Sequence, residues 1–292
     1  MNTIRIDPLA VGSKAREFVE RDDIFRVHSL FTHAVNLLGD HCLITISDNR
    51  WMMHPHSIIS RTPLNDQVWK EAFVRIELQS TGPLMELPGM TVLDNGLFYS
   101  VDRIDHNLNN LLLWLRENVI HTSVTMRELS LPLSALGREV LKWRLGRMGT
   151  LPAITRLIGR GSGLTPAGDD VLVGMLAFFH AWEKINGNAD NSELIGLFKH
   201  ICQTIAREAD GGTNLISGWM LKYAIAGDVL HELQTICVAL LNKDVQPDSF
   251  QPMHRIGHSS GKDMLIGVYA AGLIISKFGR LDNTRKGESL LG

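Results

Sequence analysis

Apolar and polar positions alternate along the first hundred residues in the manner of half-buried strands. The segments HCLITISD (41–48) and AFVRIELQS (72–80) both show this alternation, which is the repeat of a β-strand with one buried face. MTVLDNGLFYSVD (90–102) adds two short apolar runs around Asp94-Asn95-Gly96. The Asn-Gly pair is a signal for a hairpin turn. The region is predicted to be a mostly antiparallel β unit.

One segment of this region fits two patterns. SLFTHAVNLLGD (29–40) can form a short helix that ends at Gly39. A strand is the alternative, because Phe31 and Val35 favour strands.

The apolar spacing changes to a helical repeat after Ile104. Leu108, Leu111, Leu112 and Leu115 fall on one stripe, and further helices are predicted at 133–148, 151–158, 166–184, 192–209, 215–226, 229–241 and 263–278. The segment 242–261 is predicted to be a long non-helical loop of the kind that often carries function. The prediction is an α+β fold with a β-rich domain (1–103), a helical domain (104–280) and a flexible tail (281–292).

Composition and charge exclude several classes of function. A formal charge of −2 over 292 residues gives no basic footprint for nucleic acid. The longest apolar stretches are too short to cross a bilayer, and the N-terminus has no secretory signal pattern, so a cytoplasmic protein without membrane contact is expected. Three scattered cysteines, Cys42, Cys202 and Cys237, indicate neither a disulfide framework nor a zinc knuckle.

The helix predicted at 166–184 begins with an unusually polar and glycine-rich stretch. In GRGSGLTPAGDD (159–170) Thr165 is predicted to be the N-cap and Pro166 the first helical residue. Asp169 and Asp170 then lie in the first turn, where carboxylates favour the positive end of the helix dipole. Capping explains these residues but not the four glycines, which suggest unusual dihedral angles or a close approach by another group.

A related stretch occurs 93 positions later. GDDVLVG (168–174) aligns without a gap on GKDMLIG (261–267), so that Asp170 corresponds to Asp263 and Gly174 to Gly267. The two glycines are predicted to let the two helices pack closely. Both positive helix starts would then face one pocket, suited to phosphate or carboxylate.

A third helix start carries the same types of residue. In DGGTNLISG (210–218) Thr213 or Asn214 can cap a helix, with Ser217 on the same side. Each stretch alone is better explained as a cap with tight packing, whereas the three together favour a site. We therefore predict that the three starts surround one cleft.

Several known motifs fail in this chain. GHSSG (257–261) satisfies Gly-x-Ser-x-Gly but lacks the strand before it and the later histidine of a serine hydrolase, and neither a dinucleotide fingerprint nor a P-loop is complete. The pairs His54/His56 and His254/His258 are interpreted as ordinary histidines, because a metal site needs a further ligand. A divalent metal at Asp169, Asp170 and Asp263 is possible, and the alternative is that these carboxylates accept hydrogen bonds from the loops.

The three stretches resemble a known family. GSGLTPAGDDVLVG (161–174), TNLISGWMLKYAIAG (213–227) and GHSSGKDMLIG (257–267), in this order behind a β-rich half, are similar to the bacterial AllH family, long catalogued as a domain of unknown function and sometimes labelled carboxylase-like. THAVNLLGDHCLITISDNRWMMHPHSII (32–59) also resembles the family's N-terminal segment. It departs from the family where members carry Asn-Gly-Pro, since Met53-His54-Pro55-His56 stands there.

The resemblance implies a setting in purine and allantoin catabolism. Members similar to this chain act as one subunit of a three-subunit oxamate carbamoyltransferase, which interconverts oxalurate plus phosphate with oxamate plus carbamoyl phosphate. The implied partners are the other subunits and a small anion such as phosphate, carbamoyl phosphate or oxamate. Hydroxyl groups would hold the anion and Asp170 and Asp263 would orient the carbamoyl amide or a cation. Direct transfer in a ternary complex needs no nucleophile from the protein.

The candidate site residues come from the three stretches. The candidate catalytic residues are Asp169, Asp170, Asp263 and His258, and the candidate substrate-binding residues are Gly161, Ser162, Gly163, Thr165, Gly168, Thr213, Asn214, Ser217, Ser259, Ser260 and Gly261. Two alternatives to a carbamoyltransferase subunit are a non-catalytic subunit that binds a small anion or assists assembly, and a metal-dependent phosphotransferase or hydrolase. No cofactor is indicated beyond the possible divalent metal.

Overall fold

Two compact units divide the chain in the computed structural model, which describes residues 2–21, 24–64, 66–88, 100–119, 124–147, 149–186 and 192–289. The N-terminal unit comprises Met1–Thr91 with Asp228–Glu232, and the helical unit comprises Val92–Gly227 and Leu233–Gly292. A curled sheet followed by a mostly helical half confirms the predicted α+β class. The predicted domain limits of 103 and 280 stay a prediction.

The described strands of the N-terminal unit form one sheet. They are β1 (Asn2–Ile6), β2 (Pro8–Gly12), β3 (Phe25–Phe31), β4 (Ala34–Leu38), β5 (Leu43–Ser47), β6 (Ser57–Ser60), β7 (Phe73–Leu78) and β8 (Met85–Leu87). Their order across the sheet is β1-β7-β3-β4-β5-β6-β2-β8. The pairs β1–β7, β5–β6 and β2–β8 are parallel and the other four pairs are antiparallel, so the sheet is mixed with a small antiparallel majority.

The apolar alternation predicts two of these strands well. β5 and β7 lie within the two segments singled out in the sequence, and Ile44, Ile46 and Val74 are fully buried in the core of the sheet. Helix α1 (Ser13–Glu20) buries Ala15 against the same core. The sheet thus has an apolar face that α1 covers.

The segment with two possible structures forms a hairpin. β3 and β4 pair in antiparallel register from Arg26↔Leu38 to Phe31↔Ala34, so the strand interpretation of 29–40 is correct and the helix is excluded. The hairpin predicted around Asp94-Asn95-Gly96 lies outside the described residues.

Eight helices follow the sheet in the described part of the chain. They are α2 (Val101–Asn118), α3 (Val124–Arg144), α4 (Pro152–Leu157), α5 (Ala167–Ile185), α6 (Ser192–Gly212), α7 (Leu215–Ile225), α8 (His231–Asn242) and α9 (Ser260–Ser289). No helix among the described residues has the length and apolar character needed to cross a membrane.

Three helix predictions differ from the structure. α3 begins at Val124 rather than at 133 and includes Pro132, because burial of its apolar face outweighs the backbone hydrogen bond that proline removes. α9 extends beyond its predicted limits of 263 and 278 at both ends. A 3-10 helix (Pro247–Arg255) lies in the segment predicted to be a non-helical loop.

α5 is the central helix of the helical unit. Residues 167–179 are all buried, as expected for a helix that is covered on every side. An added Cβ at Gly174 would lie 1.8 Å from the Met264 carbonyl oxygen, and one at Gly267 would lie 1.9 Å from the Val171 carbonyl oxygen. These reciprocal contacts between α5 and α9 confirm the predicted close packing of the two helices.

Candidate functional site

The start of α5 is not capped by the residue that the sequence indicates. Pro166 occupies the N-cap position with φ −52° and ψ 136°, and no side chain caps the helix. The predicted assignment of Thr165 as N-cap and Pro166 as first helical residue is therefore wrong. The Thr165 hydroxyl instead lies 2.9 Å from the Ser260 hydroxyl at the start of α9. The Thr165 side chain therefore contacts the start of α9 instead of capping α5.

Asp169 ties the α5 start to the α7 start. The Gly159 N–H donates to Asp169 Oδ1 at 2.8 Å, and the Thr213 hydroxyl donates to Asp169 Oδ2 at 2.5 Å. Burial raises the pKa of Asp169, and hydrogen bonds from Thr213, Gly159 and Ser217 offset part of that effect. Asp169 is satisfied by the protein and shapes the loops around it.

Asp170 is buried without comparable partners. Its side chain is 1% exposed, and within the described residues neither carboxylate oxygen has a hydrogen-bond partner that meets normal geometry. Burial raises the pKa of Asp170 well above its usual value, the charges of Asp263 and Asp169 raise it further, and the nearby hydroxyls of Ser260 and Thr165 lower it. The Asp170 carboxyl group is therefore buried and receives no regular hydrogen bond from the described residues.

Asp263 repeats this situation at the start of α9. It is 2% exposed, and its Oδ2 atom has no partner among the described residues. Burial raises the pKa of Asp263 to about 6, although the Ser259 side chain and the charge of Lys262 act in the opposite direction. Two buried carboxyl groups thus stand at equivalent positions of α5 and α9, as the aligned sequences predict.

The third helix start contacts the loop that precedes α5. Asn214 caps α7, since its side-chain oxygen accepts from the Ser217 N–H at 3.1 Å. Its amide nitrogen donates to the Leu164 carbonyl at 2.9 Å, and the Ser217 hydroxyl lies 3.5 Å from the same oxygen. The sequence predicts which polar side chains lie here. It does not predict that their partners include the Leu164 carbonyl and the Gly159 N–H, because almost every residue type has these backbone groups.

Glycines bring the helix starts close to preceding backbone. An added Cβ at Gly168 would lie 1.9 Å from the Leu157 carbonyl oxygen, and one at Gly261 would lie 2.0 Å from the Met253 carbonyl oxygen. Gly161 has a φ of 109°, a conformation that residues with a Cβ rarely adopt. Close approach and left-handed backbone therefore account for these three positions.

Three candidate residues are exposed, unlike the carboxylates. Ser162 and Gly163 are exposed in the loop before α5, and His258 is exposed in the turn before α9. Ser259 is half-buried and acts on Asp263. The structure thus groups Asp169, Asp170, Asp263, Thr165, Ser260, Thr213, Asn214 and Ser217, whereas it gives His258 no contact with the carboxylates.

The chemistry of this group favours a ligand with hydrogen-bond donors. Buried carboxylates without partners are costly, and an N–H donor or a cation would satisfy them. Among the described residues, no set of three His, Cys, Asp or Glu side chains is arranged to hold a metal ion. The hydroxyl groups and the helix N-termini beside the carboxylates suit an anionic group.

His54 and His56 of the N-terminal unit form a separate cluster. His56 Nε2 lies 3.1 Å from an Asp228 carboxylate oxygen, and His54 Nε2 lies 2.9 Å from the Asp228 carbonyl oxygen. Burial and the neighbouring His56 lower the pKa of His54 to about 4. Although burial acts to raise the pKa of Asp228, its hydrogen bond and charge interaction with His56 hold it below its usual value. The interpretation of both histidines as hydrogen-bonding residues agrees with these contacts.

Comparison with known proteins finds a family match for the segment that contains the three helix starts. Curated proteins and solved structures give no significant match to this chain. A protein-family model does match, and the matched segment includes all three helix starts. Residues 157–272 match the AllH family, described as oxamate carbamoyltransferase subunit AllH, which confirms the resemblance seen in the sequence.

Proposed function

We propose that this chain is a subunit of an oxamate carbamoyltransferase and that its paired helix starts bind a small amide carrying an anionic group. The family match supports the subunit role in general. The observation that carries the choice of ligand is Asp170, whose carboxylate oxygens are buried without regular hydrogen-bond partners.

An amide nitrogen fits the two unsatisfied carboxyl groups. The NH2 group of oxamate or carbamoyl phosphate offers two donors, which Asp170 and Asp263 can accept. Phosphate and oxalate offer no N–H donor, so they leave the acceptor oxygens of Asp170 and Asp263 unpaired, and either carboxyl group repels their charge when it is ionised. The site therefore favours an anionic amide over a simple anion.

The anionic end of the ligand has its own partners at the rim. Hydroxyl groups of Thr165 and Ser260 lie between the two helix starts, and Ser259 is half-buried beside them. Helix N-termini and hydroxyls stabilise phosphate and carboxylate groups. One ligand can thus place its amide towards the aspartates and its oxyanion towards the hydroxyl groups.

Carbamoyl transfer at such a site needs positioning and a proton acceptor. The oxamate nitrogen would form a bond to the carbamoyl carbon while the bond from that carbon to the phosphate oxygen breaks, giving oxalurate and phosphate. The nitrogen loses one proton, which passes to Asp263 or to the leaving phosphate. A carboxyl group whose pKa is raised to about 6 is suited to accept and release a proton near neutral pH.

Matched ligands test the proposal by calorimetry on the purified chain. Pyruvate replaces the NH2 group of oxamate by CH3, and acetyl phosphate does the same for carbamoyl phosphate. We expect each amide to bind at least about tenfold more tightly than its methyl analogue, because the methyl group leaves the carboxylates unpaired. Asp170→Asn and Asp263→Asn should abolish amide binding while helical content by circular dichroism stays unchanged.

Arg207→Gln is a matched control, since it changes one exposed charge of α6 and should bind as the wild type does. Equal affinities for amide and methyl ligands in the wild type would contradict the proposal. Unfolding of both aspartate variants with no loss of binding at a permissive temperature would restore a purely structural role for the helix starts.

A further inference from the structure

An apolar groove lies in the helical unit and is lined by α2, α3 and α9. None of the carboxyl and hydroxyl groups of the helix starts lines it. Its volume is about 720 Å³, and its walls include Leu112, Leu115, Leu136, Val140, Leu273 and Ile274. Along α9 the lining extends from Ile266 to Arg280, which is roughly 21 Å at the rise of an α-helix. A helical segment of about four turns has this length.

Exposed leucines lie on α3 and directly after it. Leu131 and Leu141 of α3 and Leu145, which follows its last residue, are 76%, 52% and 53% exposed, and Leu141 also lines the groove. Single exposed leucines are common, but three on or next to a helix that lines an apolar groove are typical of a patch that binds proteins. A small amphiphile inside the groove would leave Leu131 and Leu145 in water.

The charged side chains that line the groove are cationic. They are Arg144, Lys277 and Arg280, with no carboxyl group among them, and Arg138 and Lys142 are exposed on α3. Glu193 and Asp105 pair with Arg144 and Arg280, so Lys277, Arg138 and Lys142 give the rim its net positive character. The complementary partner carries apolar residues in its centre and acidic residues at its edges.

We propose that this groove and the leucines of α3 receive an amphipathic, acid-flanked helix from another subunit of the enzyme. This inference rests on the proposed function, because the occupant is a subunit of the same complex. In helix-in-groove binding the partner helix inserts apolar residues at positions i, i+3, i+4 and i+7. The partner would cover α9 from Ile266 onward, beginning about one turn after Asp263.

The substitution Gly137→Glu tests the groove, and no neighbouring atom has to move to admit the new Cβ. Gly137 lines the groove, and an added Cβ there meets nothing within 4 Å. Glutamate is a better helix former than glycine, so the variant should fold. A carboxylate buried in an apolar interface is strongly unfavourable, and we expect association with the purified partner subunits to weaken on the order of a hundredfold.

Gly149→Glu is the matched control. It introduces the same charge at a glycine whose Cβ also meets nothing within 4 Å, and it lies outside the groove lining. Association is measured by biolayer interferometry and by the mass of the assembled complex in light scattering. Oxamate binding to each variant alone, by calorimetry, shows that the helix starts are intact.

The outcomes separate the two proposals. Weakened association of Gly137→Glu, with wild-type behaviour of Gly149→Glu, supports the groove as the docking surface. Equal association of both variants overturns it while the subunit role stands. Failure of the wild type to bind any partner subunit overturns the proposed function and the occupant with it. Loss of fatty-acid binding or of self-association in Gly137→Glu, with unchanged partner binding, overturns the groove proposal in favour of that occupant.

Discussion

Buried carboxyl groups at the helix starts differ in how far the protein satisfies them. Asp169 accepts from Gly159 and Thr213, whereas Asp170 and one oxygen of Asp263 have no regular partner among the described residues. Unsatisfied buried groups cost free energy and concentrate at functional sites. Asp169 therefore holds the loops in place, and the other two aspartates have acceptor oxygens that the proposed ligand would satisfy.

Asp263 should make the stability of the protein fall as pH rises from about 4 to about 6. Its folded pKa of about 6 lies above that of an unfolded aspartate, so the folded state binds more protons in this window and its stabilisation is complete only below it. The effect is on the order of 1 to 3 kcal/mol. Urea unfolding at a series of pH values measures it.

Asp263→Asn removes this titration and supplies the comparison. Between pH 4 and pH 6 the stability of the wild type should fall relative to that of the variant, and the variant should be at least as stable as the wild type at pH 8. Asp169 and Asp170, with raised pKa values, and His54, with a pKa of about 4 that acts in the opposite direction, titrate in both proteins, so the difference between the two profiles reports Asp263. Identical pH profiles for wild type and variant would show that Asp263 is not a strained buried acid.

The two matched helix starts define the site at the scale of elements. GDDVLVG and GKDMLIG predict both the pairing of α5 with α9 and the equivalence of Asp170 with Asp263, because a repeated pattern implies a repeated environment. The Thr165 hydroxyl has a role that the sequence could not predict. Its partner Ser260 is 95 positions away, and a threonine before a proline equally suits a cap.

Gly174→Ala should destabilise the helical unit strongly. The added methyl group would lie 1.8 Å from the Met264 carbonyl oxygen, so α5 and α9 must separate, and we expect a loss of roughly 3 kcal/mol or more in the free energy of unfolding. Urea denaturation monitored by circular dichroism measures this loss.

Gly218→Ala in α7 is the matched control for this change. An added Cβ there meets nothing within 4 Å, so alanine should stabilise the helix by about 0.5 to 1 kcal/mol through its higher propensity. If Gly174→Ala is as stable as the wild type, the close packing of α5 and α9 does not depend on this glycine.

For the whole molecule, local patterns predict the class of fold but not its long-range order. β5, β7 and the start of α7 follow from alternation and capping residues that are close in sequence. Two of the three parallel pairs, β1–β7 and β2–β8, join strands that are far apart in the chain, and His56 contacts Asp228 across 172 positions. The groove of α2, α3 and α9 likewise arises only when three helices assemble.

The function proposed for the whole molecule separates a ligand site from an assembly surface. The helix starts of α5, α7 and α9 carry the carboxyl and hydroxyl groups, and the groove carries apolar and cationic ones. The proposed carbamoyltransferase subunit would use the first surface for a substrate and the second for another subunit. In this proposal the amide of the substrate binds at Asp170 and Asp263.

A crystal structure of the protein soaked with oxamate tests this placement of the amide. We expect ligand density between residues 161–170 and 257–263, with the amide nitrogen within about 3 Å of the Asp170 carboxylate and the ligand carboxylate towards Thr165 and Ser260. Oxamate bound elsewhere at a saturating concentration, or bound here with its carboxylate facing Asp170, would contradict the proposed function.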